Sequence, residues 1–207
     1  TRMSASSHAL PVRSDFAVIS LVGFVHAVSH FFHLVIPLLF PWLMPAFDMS
    51  FTQAGALMTV FFVISGVGQA AAGLVVDRIG SRPVLFGGVA LLALSGVLLG
   101  VARNYAMLML AAAVAGAGNS VFHPADFTIL NRRVSKPRLG HAFSVHGLSG
   151  NLGWAATPLL MTAVATWINW RAAAFSAAAV AVISGVLLYA LQGALDDDAI
   201  DGAGSKK

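Results

Sequence analysis

The chain has 207 residues, 58% of them hydrophobic and only 10% charged, with a mean hydropathy of +0.83 and a formal charge of +4. A water-facing surface carries roughly 25% charged residues, so a soluble globular domain is excluded, and basic residues scattered between apolar stretches offer no patch for nucleic acid. There is no Cys, which excludes disulfides and thiolate metal sites.

A helix that crosses the hydrocarbon layer needs about 20 apolar residues. Residues 1–15 are polar and read as an N-terminal tail. The spans are then expected at 16–44, 52–76, 84–101, 106–130, 141–167 and 172–192. Pro37 and Pro41 fall near the far end of the first, and the second is rich in Gly. Residues 193–207 form an acidic, then Gly/Ser/Lys, tail. The fold class is therefore all-α, a polytopic membrane protein with a six-helix bundle over 16–192. The first span is too long for a signal-peptide core and lacks a small-residue cleavage site, so no cleavable leader is expected.

Ten basic residues fall on one side of this six-span arrangement, and only Arg103 and Arg171 on the other. The positive-inside rule then places both termini in the cytoplasm. Small residues mark faces expected to pack closely: Gly66, Gly68 and Gly73, then Gly116 and Gly118, then Gly147, Gly150 and Gly153.

Ionisable groups at membrane depth are costly and usually face a cavity. The first span carries His26, His30 and His33, whose offsets of four and three put them on one helical face. The fourth carries His123 and Asp126, and the fifth His146. A rise of 1.5 Å per residue puts His26 roughly 15 Å and His123 about 12 Å from the cytoplasmic ends of their spans. Asp126 and His146 lie about 7 Å in by the same rise, as a second layer. Titratable groups at graded depth suit a proton relay or an anion-binding cavity. Chelation of a metal ion by His at four-residue spacing is an alternative that looks the same in sequence. No residue is assigned to a resident metal site, and no cofactor is expected. Pro124 should loosen the helix after His123. G-L-S-G at 147–150 matches a short signature of rhomboid-type intramembrane proteases, but no His follows His146 to act as base for Ser149, so no enzyme is expected.

A charged segment, G-L-V-V-D-R-I-G-S-R-P at 73–83, separates the second and third spans. Gly73 lies one helical turn before Asp77, where a missing side chain lets another helix approach, and Gly80 permits a tight reversal. This segment resembles the signature of major facilitator superfamily transporters through Gly73, Asp77, Arg78, Gly80 and Arg82, with Pro83 where a second basic residue is usual. H-A-V-S-H-F-F-H-L-V-I-P-L-L-F-P-W-L at 26–43, G-A-G-N-S-V-F-H-P-A at 116–125 and H-A-F-S-V-H-G-L-S-G-N-L-G-W-A-A-T-P at 141–158 are similar to the first, fourth and fifth spans of that superfamily's fosmidomycin-resistance branch. His30 departs from an acidic residue, and Ala112 from an Arg that many family antiporters carry. The family has twelve spans in two halves, and the chain resembles the N-terminal half.

The resemblance implies a half unit of an antiporter-like transporter that moves a small organic solute by alternating access, coupled to protons. It implies a multi-pass protein of the bacterial inner (plasma) membrane that meets a second six-helix half, either a copy of itself or a missing C-terminal half. His26, His30, His33, His123, Asp126 and His146 would line the substrate or proton pathway. Asp77 would brace the cytoplasmic gate, and Arg78 and Arg82 would hold the hairpin. The alternatives are a membrane scaffold or assembly factor with the same fold, and a His-based metal ion transporter.

Overall fold

The computed structural model describes residues 12–195; most of the two expected tails, 1–11 and 196–207, lies outside the described residues. The chain forms eight α-helices among the described residues: α1 (Val12–Leu38), α2 (Phe40–Ala46), α3 (Phe51–Ile79), α4 (Ser81–Gly100), α5 (Tyr105–Asn119), α6 (Phe122–Arg133), α7 (Leu139–Trp167) and α8 (Trp170–Ala190). Short 3-10 turns stand at Lys136–Arg138 and Gln192–Leu195.

Local chemistry sets most of these boundaries. Ser50 and Gln53 close a capping box at the start of α3, and Asn104 and Asn169 cap α5 and α8 through their side-chain oxygens. Gly80 alone separates α3 from α4, with φ 87 and ψ 155, a region open essentially to glycine. Proline divides two of the expected spans. Pro41 has no N–H for the Pro37 carbonyl, and its ring crowds that turn, so the first span breaks at Leu39 into α1 and α2. Pro124 does the same to Ser120, and the fourth span breaks into α5 and α6.

Among the described residues five stretches are long and apolar enough to cross a membrane: Asp15–Leu38, Phe51–Ile79, Ser81–Gly100, Tyr105–Arg133 and Trp170–Ala190. α7 has 29 residues and is made more polar by His141, Ser144, His146, Ser149 and Asn151. It nevertheless traverses the same layer, because it runs parallel to α1 with Ala27 against Gly153 and the Thr157 hydroxyl donating to the Phe31 carbonyl (3.1 Å). Of these polar residues His146 and Ser149 are buried against α1, whereas His141, Ser144 and Asn151 are exposed.

Lipid supplies no hydrophobic drive between helices, so close backbone approach at small residues does the packing. A Cβ on Gly153 would lie 2.0 Å from the Ala27 carbonyl oxygen, and one on Gly116 2.5 Å from that of Phe61. Gly88 and Gly118 face each other's carbonyls between α4 and α5, and Gly96 meets the backbone of Ala178 on α8. Arg171 closes the far end of α4 by donating to the carbonyls of Gly100 and Ala102, both at 2.8 Å. Three of the glycines expected on packed faces meet no other helix among the described residues. Gly66, Gly73 and Gly147 meet no atom within 4 Å among the described residues. No helix among the described residues approaches Gly73: the outer face of α3 is uncovered there, and Val67, Leu74 and Val75 are exposed beside it.

Asp15, expected in a solvated tail, lies in the first turn of α1 and is fully buried. It accepts hydrogen bonds from the Ser135 hydroxyl (2.6 Å) and from Arg138 (2.7 Å), and so ties the start of α1 to the connection before α7. At the other end of the chain, Leu195 is buried and Arg133 donates to the Ala194 carbonyl, so the segment after α8 begins docked against the bundle.

Candidate functional site

The parallel pair α1 and α7, with α6 antiparallel beside α1, brings five imidazoles and one carboxylate into a single cluster. His26 and His146 stack with centroids 3.5 Å apart, and His26 Nδ1 donates to the His146 carbonyl at 2.9 Å. His146 Nε2 reaches Asp126 Oδ2 at 3.1 Å. His123 arrives from α6 with its Nε2 3.4 Å from His26 Nε2. The two depth layers expected from the helical rise are therefore one: the stacked rings join the His26–His123 pair directly to the His146–Asp126 pair.

Ring nitrogens can be assigned from their partners. A carbonyl oxygen only accepts, so His26 Nδ1 carries its proton toward His146. His123 Nδ1 lies 2.9 Å from Gln69 Oε1 and donates to it when the amide presents its oxygen. In the neutral rings both Nε2 atoms are then bare lone pairs, and these are the two atoms that face one another. Trp154 Nε1 can only donate, and it donates to His33 Nδ1 at 3.2 Å, which leaves His33 Nε2 to donate to Asn119 Oδ1 at 3.1 Å. His30 sits between these groups, 4.4 Å from the His26 ring and 4.7 Å from those of His33 and Trp154. Among the described residues neither of its buried nitrogens has a hydrogen-bond partner, and nor does Asp126 Oδ1.

The cluster has an inner and an outer part. His26, His146 and Asp126 are buried, Asp126 completely. His30, His33 and His123 are half-buried, and exposed Gln69, Phe127 and Trp154 surround them on the face shared by α1, α3, α6 and α7. The elements are held in register from several sides. Asn119 accepts from Ser65 on α3 (2.9 Å) and donates to the Ser29 carbonyl on α1 (3.1 Å). Gly150 leaves room for the rings, since a Cβ there would lie 2.8 Å from His30 Nδ1.

Gln69, Asn119 and Trp154 are part of this network and were not singled out from the sequence, and Ser149 was considered there only as a nucleophile. A signal was present: Asn119 stands four residues before His123, and Ser65 four before Gln69, so each pair shares a helical face. Ser149 does lie 3.3 Å from His26 Nδ1, but that nitrogen is a donor and the hydroxyl is spent on the His146 carbonyl at 2.7 Å. The pair therefore has no base to activate a nucleophile.

The charged segment lies elsewhere. Asp77 and Arg78 are exposed at the end of α3, Gly80 makes the one-residue reversal, and Arg82 donates to Gln192 after α8. The segment is thus tied through Arg82 to the end of the bundle and leaves Asp77 on its outer surface.

Comparison with known proteins follows this architecture. The family model described as Major Facilitator Superfamily matches residues 19–204. The Fosmidomycin resistance protein of Escherichia coli (strain K12) is 28% identical over 160 residues, which cover 77% of this chain and 39% of that protein. The Multidrug resistance protein B homolog of Mycobacterium tuberculosis is 31% identical over 123 residues, or 59% of this chain and 22% of that one. A crystal structure of the peptide transporter POT in complex with sulfate superposes with a TM-score of 0.74 at 18% identity, and the match covers 93% of this chain and 40% of that chain. The chain thus spans well under half the length of the proteins it matches.

Proposed function

The chain belongs to the major facilitator superfamily of multi-pass membrane transporters, and on that premise we propose that it is one six-helix half of an alternating-access transporter for a small organic solute. One observation carries the reading. An otherwise apolar bundle holds a contiguous run of polar side chains, from buried Asp126 and His146 through His26 to half-buried His123, His30 and His33, and this run emerges on a face with no covering helix among the described residues. Protonatable groups are costly at membrane depth and are retained where they serve a pathway.

In this reading the uncovered face of α1, α3, α6 and α7 meets a second six-helix bundle, either a copy of the chain or a separate C-terminal half. Together they enclose the solute. The proton is the coupling ion, taken up by the Asp126–His146 pair and passed along the imidazoles. Asp77, exposed on α3, braces the gate from its position at the end of the bundle, with Arg78 beside it and Arg82 anchoring the turn. The protein resides in the bacterial inner membrane with both termini in the cytoplasm, where the basic residues concentrate.

Reconstitution tests this. Proteoliposomes carrying the chain, alone or with a second half, are assayed for flux of labelled fosmidomycin and of other small organic anions, with and without an imposed pH gradient. Gradient-dependent flux that falls at least tenfold in His123→Ala and Asp126→Asn supports the proposal. Flux unchanged in both variants removes these residues from the pathway, and gradient-independent flux removes the proton as coupling ion.

A further inference from the structure

His26 commits its Nδ1 proton to the His146 carbonyl, and with Gln69 Oε1 turned to His123 Nδ1 the His26 and His123 Nε2 atoms face each other at 3.4 Å as two lone pairs, which repel. What belongs between them is a positive charge, and the spacing points to which. Zn–N bonds of about 2.0–2.1 Å at a tetrahedral angle place two ligand nitrogens about 3.3–3.4 Å apart. A third imidazole stands ready, since one nitrogen each from His26, His30 and His123 all lie within 4.8 Å of one another and both nitrogens of His30 lack a partner. We propose that His26 Nε2, His123 Nε2 and a ring nitrogen of His30 bind one borderline divalent cation of the Zn²⁺ or Co²⁺ class.

The surroundings fit this chemistry. Imidazoles that ligate a metal usually donate their other N–H to a carbonyl or carboxylate, which orients the ring. Here His26 donates to the His146 carbonyl and His123 to the Gln69 side chain. Neutral nitrogen donors without thiolate select Zn²⁺, Co²⁺, Ni²⁺ or Cu²⁺ over the oxygen-seeking Mg²⁺ and Ca²⁺. Asp126 places a carboxyl group one stacked ring away, paired with His146 at 3.1 Å. Entry is from the outer face, where His30 and His123 are half-buried. Three protein ligands leave a coordination position for an exchangeable oxygen ligand, the pattern of labile rather than purely structural sites. The inference goes beyond the transport reading and stands on the cluster's own geometry, whatever solute the protein moves.

The test uses the full chain, purified in mild detergent with a tag free of histidine and stripped with a chelator. Co²⁺ is titrated while its visible d–d bands are recorded, and Zn²⁺ is then added in competition. One Co²⁺ per chain is expected, displaced by Zn²⁺, with binding lost in His26→Ala and in His123→Gln. Gln69→Ala keeps all three nitrogen donors, removes only the group that orients His123 from an exposed position, and should weaken binding about 10–100-fold. His141→Ala, on an exposed residue at the start of α7, should leave it unchanged. Absence of the d–d bands, retention of binding in both His26→Ala and His123→Gln, or an equal loss in His141→Ala overturns the proposal. Loss in Gln69→Ala at wild-type thermal stability supports the site even where the histidine variants fail to fold. Proton-coupled flux by protein that shows no Co²⁺ bands in the titration refutes the metal site alone and leaves the transport reading standing.

Discussion

Substitution of Gly153 by Ala should be among the most disruptive single-methyl changes in the bundle. The added Cβ would lie 2.0 Å from the carbonyl oxygen of Ala27, 2.9 Å from its carbonyl carbon and 3.1 Å from its Cα. These are backbone atoms, which cannot swing aside. A carbon meets a carbonyl oxygen comfortably at about 3.3 Å, so α1 and α7 must part by roughly 1.3 Å. Overpacking of this kind costs about 1–3 kcal/mol. The same movement stretches the bonds from Thr157 to the Phe31 carbonyl and from His26 to the His146 carbonyl, each about 0.6 kcal/mol in a membrane protein. The expected loss is about 2–4 kcal/mol, read as a shift in reversible unfolding in mixed micelles followed by Trp fluorescence. Two companions on the same helix grade the effect. Gly150→Ala meets only imidazole atoms of His30 and His26, at 2.8–3.0 Å, which can turn, so it should cost less. Gly147→Ala meets no atom within 4 Å and should stabilise α7 by about 0.5–1 kcal/mol through helix propensity. Equal stabilities for Gly153→Ala and Gly147→Ala would refute the argument that backbone contact sets the α1–α7 register.

Gly80→Ala forces a side chain onto φ 87, ψ 155, and should cost about 1–3 kcal/mol by the same unfolding measurement. Asn119→Ala removes three bonds that tie α5 to α1 and α3, and at about 0.6 kcal/mol each the loss should approach 2 kcal/mol. The same change frees His33 Nε2, which a shift of its imidazole signal in NMR of labelled protein would report. Asp15→Ala leaves the Ser135 hydroxyl and Arg138 without their acceptor. The expected cost is about 2 kcal/mol, together with faster proteolysis at the connection before α7; unchanged cleavage there would mean the clamp does not hold that connection.

Much of the architecture was legible in the residues alone. Runs of about 20 apolar residues can only be satisfied as helices across a bilayer, and the reversal at Gly80 follows from the one residue type that tolerates its φ. The placement of His26, His30 and His33 on one face, and of His123 with Asp126 on another, follows from 3.6 residues per turn. None of this decides which face meets which. Helical period fixes angles within one helix, whereas contact between helices depends on rotation and axial shift, which small residues far apart in the chain determine together. Gly73 and Gly153 both lie in apolar, Gly-containing spans, yet a Cβ on the first would meet no atom within 4 Å among the described residues and one on the second would strike Ala27. Asp15 reads as part of a polar tail until the approach of Ser135 and Arg138 buries it. The facing of His26 Nε2 and His123 Nε2 is likewise a tertiary fact, because it requires the Gly153 contact to set α7 against α1 and the break at Pro124 to turn α6 toward both.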